Sequence, residues 1–122
     1  MNNILLVDDD AFFRSMFAGI LDWAKYGYRV VQAENGQDAI RLMSGASRPF
    51  ELVFTDMDMP IIDGVELTQY IRRYFPEVRC IALSAYDDFD YVKSSLRSGA
   101  EDYILKYSLT REQLLALISK DA

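Results

Sequence analysis

Acidic side chains that could do chemistry stand directly after two apolar segments. Asp8 to Asp10 follow the apolar run at residues 4–7, and Asp56 and Asp58 follow the run at residues 52–55. Carboxylates packed together repel one another, and proteins relieve that repulsion by protonating one of them or by binding a hard cation such as Mg²⁺. A carboxylate is also a nucleophile toward phosphorus, with an aspartyl phosphate as the product. These residues therefore indicate metal-assisted phosphoryl chemistry, provided that folding brings the two clusters together.

The elements that must position these acids alternate between strand and helix. Apolar runs predict buried strands at residues 4–7, 28–33, 52–55, 80–83 and 103–105. Helical periodicity predicts helices at residues 12–24, where Gly27 ends the helix, then 37–44, 65–74, 87–98, and from Thr110 onward, where Gln113 completes a capping box. Buried strands separated by helices predict a single α/β domain over residues 1–122, with five parallel strands and helices on both faces of the sheet.

The parallel sheet gathers polar residues at one edge, because all its strands end there and ligands bind in the crevice outside those ends. The first, third, fourth and fifth strands end at Asp8 to Asp10, Asp56, Ser84 and Lys106. The Lys106 ammonium has the right sign for a phosphoryl group, and the Ser84 hydroxyl can donate to the same oxygens. Metal, ammonium and hydroxyl would surround a transferring phosphoryl group with positive charge and donors while Asp56 attacks.

Composition excludes several other classes of function. The net charge is −6, from 19 acidic and 13 basic residues, and this sign repels nucleic acid. No apolar run reaches the roughly 18 residues of a membrane span, and residues 1–3 do not resemble a signal peptide, which predicts a cytoplasmic protein. Cys80 is the only cysteine and the chain has no histidine, so we expect a buried core thiol rather than a disulfide, a zinc site or a Cys-His nucleophile.

Four motifs then resemble one family, in order and in spacing. "LLVDDD", "VFTDMDMPIIDG", "IALSAYDD" and "GAEDYILK" are similar to the receiver domain of two-component response regulators, over essentially the whole chain. The resemblance implies the flavodoxin-like (βα)5 fold, doubly wound. The segments "LDWAKYGYRVVQAENG" and "SAYDDFDYVKSSLRSGAEDY" further resemble receivers attached to AraC-family DNA-binding modules.

The resemblance also implies roles for individual residues. Asp56 would be the phosphoacceptor and a metal ligand. Asp9 would bind Mg²⁺ directly, Asp8 would act on the metal through water, and Asp58 would offer its backbone carbonyl. Ser84 and Lys106 would bind the phosphoryl group. Tyr103 would be the aromatic that changes rotamer when the serine moves toward it.

The implied function is a phosphorylation-controlled switch rather than an enzyme acting on other substrates. A sensor histidine kinase would supply the phosphoryl group, and the face made by the fourth and fifth helices and the fifth strand would change. That face could pair two receivers or release a C-terminal DNA-binding module, with transcription as the output. The receiver domain itself would contact neither nucleic acid nor membrane.

Two alternatives stay open from the sequence. "DMD" after an apolar strand also resembles the nucleophile motif of haloacid-dehalogenase phosphatases, although no later acidic metal motif follows Lys106. The other alternative is a receiver-like interaction domain that is never phosphorylated. It gains weight from Tyr107, which stands where the family usually has a proline after a cis bond, so this bond is expected to be trans or strained. Asp58 also departs from the family, since a neutral or basic side chain is more usual there.

Structural roles compete with functional ones at several of these residues. Asp10 is expected to cap a helix, because an aspartate after a strand most often does so. Asp87, Asp88 and Asp90 are expected to form the solvated first turn of a helix. Tyr103 could be an ordinary half-buried strand aromatic.

Overall fold

A computed structural model describes residues 1–47, 49–85 and 89–119, apart from the side chains of Phe89 and Tyr91. The strands are β1 (Asn2–Val7), β2 (Tyr28–Ala33), β3 (Phe50–Asp56), β4 (Arg79–Ser84) and β5 (Asp102–Leu105). The α-helices are α1 (Ala11–Ile20), α2 (Gly36–Gly45), α3 (Gly64–Tyr74), α4 (Phe89–Arg97) and α5 (Arg111–Ile118). Two short 3₁₀ helices span Trp23–Tyr26 and Lys106–Ser108.

The strands form one parallel sheet in the order β2-β1-β3-β4-β5. Val7 pairs with Thr55 in the register of β1 and β3, and Ser84 pairs with Leu105 in the register of β4 and β5. The strands therefore end at the same edge, and the residues that follow them are brought together. This arrangement confirms the predicted doubly wound, five-stranded sheet.

Helices cover both faces of the sheet because alternate residues of each inner strand point to opposite sides. In β1, Ile4 and Leu6 join a core cluster with α1 and α5, whereas Leu5 and Val7 join a second cluster with α2 and α3. All four side chains are fully buried. The sheet is thus held from both sides, which fixes the positions of its strand ends.

The edge strand β2 is more exposed than its apolar composition predicts. Arg29 and Gln32 face solvent, and Val30 and Val31 are only partly buried. The reason is its place in the sheet, since β2 pairs with β1 alone in the sheet order. The sequence pattern gave no sign of this lateral position.

The first helix is shorter than predicted. It ends at Ile20, and Leu21 is extended, with φ −129° and ψ 154°. The separate 3₁₀ helix Trp23–Tyr26 follows and stops at Gly27, whose φ of 84° favours glycine. The two helices share one core, because Trp23 stacks on Phe17 at 5.2 Å between ring centroids, whereas Ala24 is exposed.

Helix ends agree well with the sequence signals. Asp10 is the N-cap of α1, its carboxylate accepting from the amides of Phe12 and Phe13. Thr110 and Gln113 form the predicted capping box of α5. Of the predicted fourth helix at residues 87–98, residues 89–97 are helical, with Asp90 in the first turn, and residues 87–88 lie outside the described part of the chain.

The helices of the described residues are all too short or too polar to cross a lipid bilayer.

Candidate functional site

Three carboxylates converge where β1 and β3 end. Asp8, Asp9 and Asp56 each offer an oxygen, and these oxygens all lie within 4.8 Å of one another. Asp8 is fully buried and Asp56 is 5 % exposed, whereas Asp9 is exposed to solvent. Hard oxygen ligands in this number suit Mg²⁺, which usually keeps several waters in its coordination shell. The chain therefore carries an acidic cluster that opens to solvent on the side of Asp9.

Lys106 lies against the buried side of this cluster. It begins the 3₁₀ helix Lys106–Ser108 directly after β5, and only 4 % of it is exposed. Its ammonium nitrogen lies 2.8 Å from Asp8 Oδ2 and 3.7 Å from Asp56 Oδ2. One cation thus bridges two strands through their terminal carboxylates, as the predicted convergence requires.

Burial and charge crowding change the titration of the carboxylates. Burial, with the nearby charge of Asp8 as the second cause, raises the pKa of Asp56 from 3.8 to about 6, although Lys106 opposes the shift. Burial also raises the pKa of Asp8, against the hydrogen bond from Lys106. Ionising both buried carboxylates therefore costs free energy, and a bound cation would lower that cost.

Lys106 keeps its charge in spite of its surroundings. Burial by itself lowers the pKa of an ammonium, but the hydrogen bond to Asp8 and the charge of Asp56 outweigh it, so the pKa of Lys106 is raised. The site therefore combines a permanent cation with carboxylates that are hard to ionise together.

The β3–α3 loop contacts the Asp56 carboxylate through its backbone. The backbone amide of Asp58 donates to Asp56 Oδ1 at 3.4 Å, while the Asp58 side chain is exposed. Gly64 lets α3 begin directly against this loop, since a Cβ there would collide with the Asp56 carbonyl oxygen. Ile61 adopts a left-handed φ of 71°, which is strained for a β-branched residue.

The structure brings the other predicted residues to the same edge of the sheet. Ser84 is fully buried at the end of β4. Tyr103 is half-buried in β5 and packs against a small cluster of Met57, Ala82 and Ala100. Tyr103 pairs with Ala82, two residues before Ser84 in β4. This position fits both the switch role and the ordinary strand-aromatic role.

Two aromatic rings contact Lys106, and the sequence pattern does not predict this contact. The ammonium lies 4.7 Å from the ring centroid of Phe13 and 5.6 Å from that of Tyr107. In the sequence, Phe13 is one apolar residue of the helix predicted at residues 12–24, and Tyr107 is notable only as the residue that replaces a proline. Phe13 and Tyr107 are 94 residues apart in the sequence, so no local pattern predicts their contact.

Two further expectations have clear outcomes. The described residues contain no cis peptide bond, so the bond between Lys106 and Tyr107 is trans. Cys80 is 1 % exposed, and burial raises its pKa to about 11. The thiol is therefore the core residue that the sequence predicted.

Taken together, the doubly wound sheet, the acidic cluster and the buried lysine at its carboxyl edge define the class of receiver domains. A sequence model of the family described as "Response regulator receiver domain" matches residues 4–119. The chain belongs to this family, whose members are regulatory phosphoacceptor domains. This assignment selects the receiver interpretation over the haloacid-dehalogenase one.

Relatives and solved structures are similar over most of the chain. The rice two-component response regulator ORR41 is 32 % identical over 120 residues, which are 98 % of this chain and 94 % of ORR41. The transcriptional regulatory protein YesN of Bacillus subtilis is 34 % identical over 107 residues, 87 % of this chain but 28 % of YesN. A Burkholderia pseudomallei response regulator, solved with a phosphorylated aspartic acid, a calcium ion and citrate, superposes with a TM-score of 0.80 at 26 % identity, over 95 % of this chain and 65 % of that one.

Several of the relatives are much longer than this chain, which spans less than half the length of YesN and of the regulators ZraR and DegU.

Proposed function

We propose that this domain is a phosphorylation-controlled switch in which Asp56 accepts a phosphoryl group from a sensor histidine kinase. The observation that carries the proposal is the placement of the Asp56 carboxylate between two acids and the Lys106 ammonium, 3.7 Å away. In these surroundings the Asp56 carboxylate is placed to attack a phosphoryl group that arrives together with a bound cation. The phosphorylated aspartic acid of the Burkholderia regulator supports the same chemistry in this family.

Mg²⁺ is the proposed cofactor, and the residues present fit it. Asp9 and Asp56 would bind it with their carboxylates, Asp8 would act through water, and Asp58 would offer its backbone carbonyl. The exposed side of the cluster at Asp9 leaves room for the waters that this ion retains. Bound there, Mg²⁺ would neutralise charge on the phosphoryl oxygens during transfer.

In the transfer itself, the main task of this chain is to position the groups that surround the phosphoryl group. The bond between phosphorus and the imidazole nitrogen of a phosphohistidine breaks while a bond from an Asp56 oxygen forms, and the imidazole keeps the electron pair and takes up a proton. Lys106 would turn from Asp8 toward the new phosphoryl oxygens, because these carry the greater negative charge. The Ser84 hydroxyl would donate to another of the oxygens.

The resulting change would spread along β5 and the neighbouring helices. Ser84 ends the strand that pairs with β5, and Tyr103 lies in β5 itself. Movement of Ser84 toward the phosphoryl group would leave space that the Tyr103 ring can enter, which shifts the packed surface of α4, β5 and α5 between two states. That surface would then pair two receivers or bind an output module.

The proposed output is control of transcription. YesN, ZraR and DegU are named as transcriptional regulatory proteins, and they are longer than this chain. We propose a C-terminal DNA-binding module of the AraC type as the partner of the receiver surface. Residues 1–122 would form a single receiver domain, acting in the cytoplasm.

The test is to incubate the domain with Mg²⁺ and acetyl phosphate and to follow intact mass and free phosphate over time, with Asp56→Asn and Asp22→Asn as companion variants. We expect one added phosphoryl group in the wild type and in Asp22→Asn, and none in Asp56→Asn. Continuous rapid phosphate release would instead indicate a phosphatase. No adduct, from acetyl phosphate or from a phosphorylated kinase domain, would favour the interaction domain that is never phosphorylated.

A further inference from the structure

We propose that Tyr107 is a positioning residue for Lys106, holding the ammonium within reach of Asp56 through an aromatic pair formed with Phe13. The geometric part of this inference stands by itself, whereas its effect on phosphoryl transfer rests on the proposed function. Tyr107 is 68 % exposed, while the lysine next to it is 4 % exposed. The Tyr107 ring therefore lies next to a buried cation without belonging to the core.

The two rings lie around the ammonium. Lys106 Nζ is 4.7 Å from the Phe13 centroid and 5.6 Å from the Tyr107 centroid, both within the range of cation–π attraction. The rings meet edge to face, with centroids 6.4 Å apart and planes at 86°. This arrangement is the favourable one for an aromatic pair, so each ring supports the position of the other.

Tyr107 is tied to a second element of the fold. Its hydroxyl donates to Asp10 Oδ2 in a long hydrogen bond of 3.5 Å. Asp10 is the N-cap of α1, the helix that carries Phe13 in its first turn. The tyrosine therefore joins the turn after β5 to the start of α1 across the top of the site. This bond is too long to hold the turn by itself, so the positioning of Lys106 rests on the rings.

Rings differ from carboxylates in how they hold a cation. The face of a ring attracts the ammonium but accepts no strong hydrogen bond, so the donors of Lys106 stay free to be shared among Asp8, Asp56 and an arriving phosphoryl group. Lys106 now contacts Asp8 at 2.8 Å and has to exchange that contact during transfer. The rings would keep the ammonium in place while its acceptors change.

The experiment compares Tyr107→Leu, which removes the ring but keeps apolar bulk, with Tyr107→Phe, which keeps the ring and loses the hydroxyl. Tyr74→Leu is the control, because Tyr74 is also an exposed tyrosine, 57 % exposed, at the C-terminal end of α3. The first readout is the NMR shift of the Lys106 ε-methylene protons without Mg²⁺ or phosphodonor. The second is the phosphorylation rate with acetyl phosphate, and the third is the Mg²⁺ affinity from calorimetry.

We expect the ε-methylene protons of the wild type, Tyr107→Phe and Tyr74→Leu to be shifted upfield by the rings, and those of Tyr107→Leu to move toward the ordinary lysine position. Phosphorylation of Tyr107→Leu should slow by about two- to fivefold, the effect of losing one exposed cation–π contact. Tyr107→Phe should recover the wild-type rate, and Mg²⁺ affinity should be equal in all four proteins.

The inference is wrong if Tyr107→Leu leaves the Lys106 shift or the phosphorylation rate unchanged, or if Tyr107→Phe is as slow as Tyr107→Leu. A fall in Mg²⁺ affinity that matches the fall in rate would also overturn it, since the tyrosine would then support the whole site. If the wild type takes up no phosphoryl group, the proposed function fails, and the NMR comparison alone decides the positioning of Lys106.

Discussion

Lys106 and Asp8 form a buried ion pair, with 2.8 Å between the ammonium nitrogen and Oδ2 and with both side chains at most 5 % exposed. The pair joins the end of β1 to the turn after β5, two strands that are not neighbours in the sheet. The same ammonium reaches Asp56 on β3 at 3.7 Å. One cation therefore offsets negative charge from two strands, and the consequences of its removal can be measured.

Removing that cation should destabilise the domain. Lys106→Met would leave Asp8 and Asp56 buried without a positive partner, which should lower the free energy of unfolding by about 3–5 kcal/mol near neutral pH without Mg²⁺. The measurement is urea denaturation in the presence of a chelator. Lys25→Met, at an exposed position, is the control and should change stability by less than about 0.5 kcal/mol. Equal stability of the two variants would contradict the charge balance described here.

Asp56 should make the stability of the domain depend on pH. Its pKa of about 6 in the folded protein lies above the ordinary 3.8, so between these values the folded state keeps a proton that the unfolded chain has released. The Asp56 contribution to the free energy of unfolding therefore falls as the pH rises through this window. Asp56→Asn should be more stable than the wild type near neutral pH, by up to about 3 kcal/mol.

The check is urea denaturation of both proteins with a chelator from about pH 4 to about pH 7.5. The difference between them should shrink toward the acidic end, where the unfolded chain also begins to take up the Asp56 proton. A constant difference across the range would mean that Asp56 titrates normally in the folded domain.

Mg²⁺ should stabilise the folded domain through the acidic cluster. A ligand that binds only the folded state at about 100 times its Kd adds about 2.7 kcal/mol to the free energy of unfolding. Asp9→Asn should lose most of this gain, because Asp9 is the exposed member of the cluster and meets the ion directly in the proposed site. Differential scanning fluorimetry with increasing Mg²⁺ measures the effect. Asp22→Asn, which removes an exposed acid elsewhere, should behave like the wild type, and an equal loss in both variants would point to general charge screening.

Two glycines should respond in opposite ways to alanine. Gly64→Ala would place a methyl group in collision with the Asp56 carbonyl oxygen, and the backbone shift should cost about 1–3 kcal/mol. Gly19→Ala adds a methyl group with nothing within 4 Å in the last turn of α1, so it should stabilise the domain by about 0.4–1 kcal/mol. Thermal denaturation compares them. If Gly64→Ala were as stable as the wild type, the close contact of α3 with the β3–α3 loop would be wrong.

The strands and the convergence of the site were predictable because both follow from short local patterns and one rule of parallel sheets. Apolar runs mark strands, although not their place in the sheet, and the residues after parallel strands must share an edge. Asp8, Asp56 and Lys106 were placed together on this ground alone, and the structure confirms their proximity. The caps at Asp10 and Thr110 were equally local, since each depends on a side chain and the next three amides.

Other features depend on tertiary context and left no local pattern. The extended backbone at Leu21 ends α1 although the apolar sequence continues, because Trp23 returns to the same core. Ile61 has a positive φ, a conformation that is expected at glycine or asparagine, so the sequence does not predict it at this position. The aromatic pair of Phe13 and Tyr107 exists only because the start of α1 meets the turn after β5.

The most direct test of the account identifies the residue that carries the phosphoryl group. The domain is phosphorylated with acetyl phosphate and Mg²⁺ and reduced with borohydride, which converts an aspartyl phosphate into homoserine, and the peptides are sequenced by tandem mass spectrometry. We expect homoserine at position 56 and at no other aspartate. Homoserine at Asp8, Asp9 or Asp58 in place of Asp56, or its absence from a chain shown to be phosphorylated, would show that Asp56 is not the phosphoacceptor.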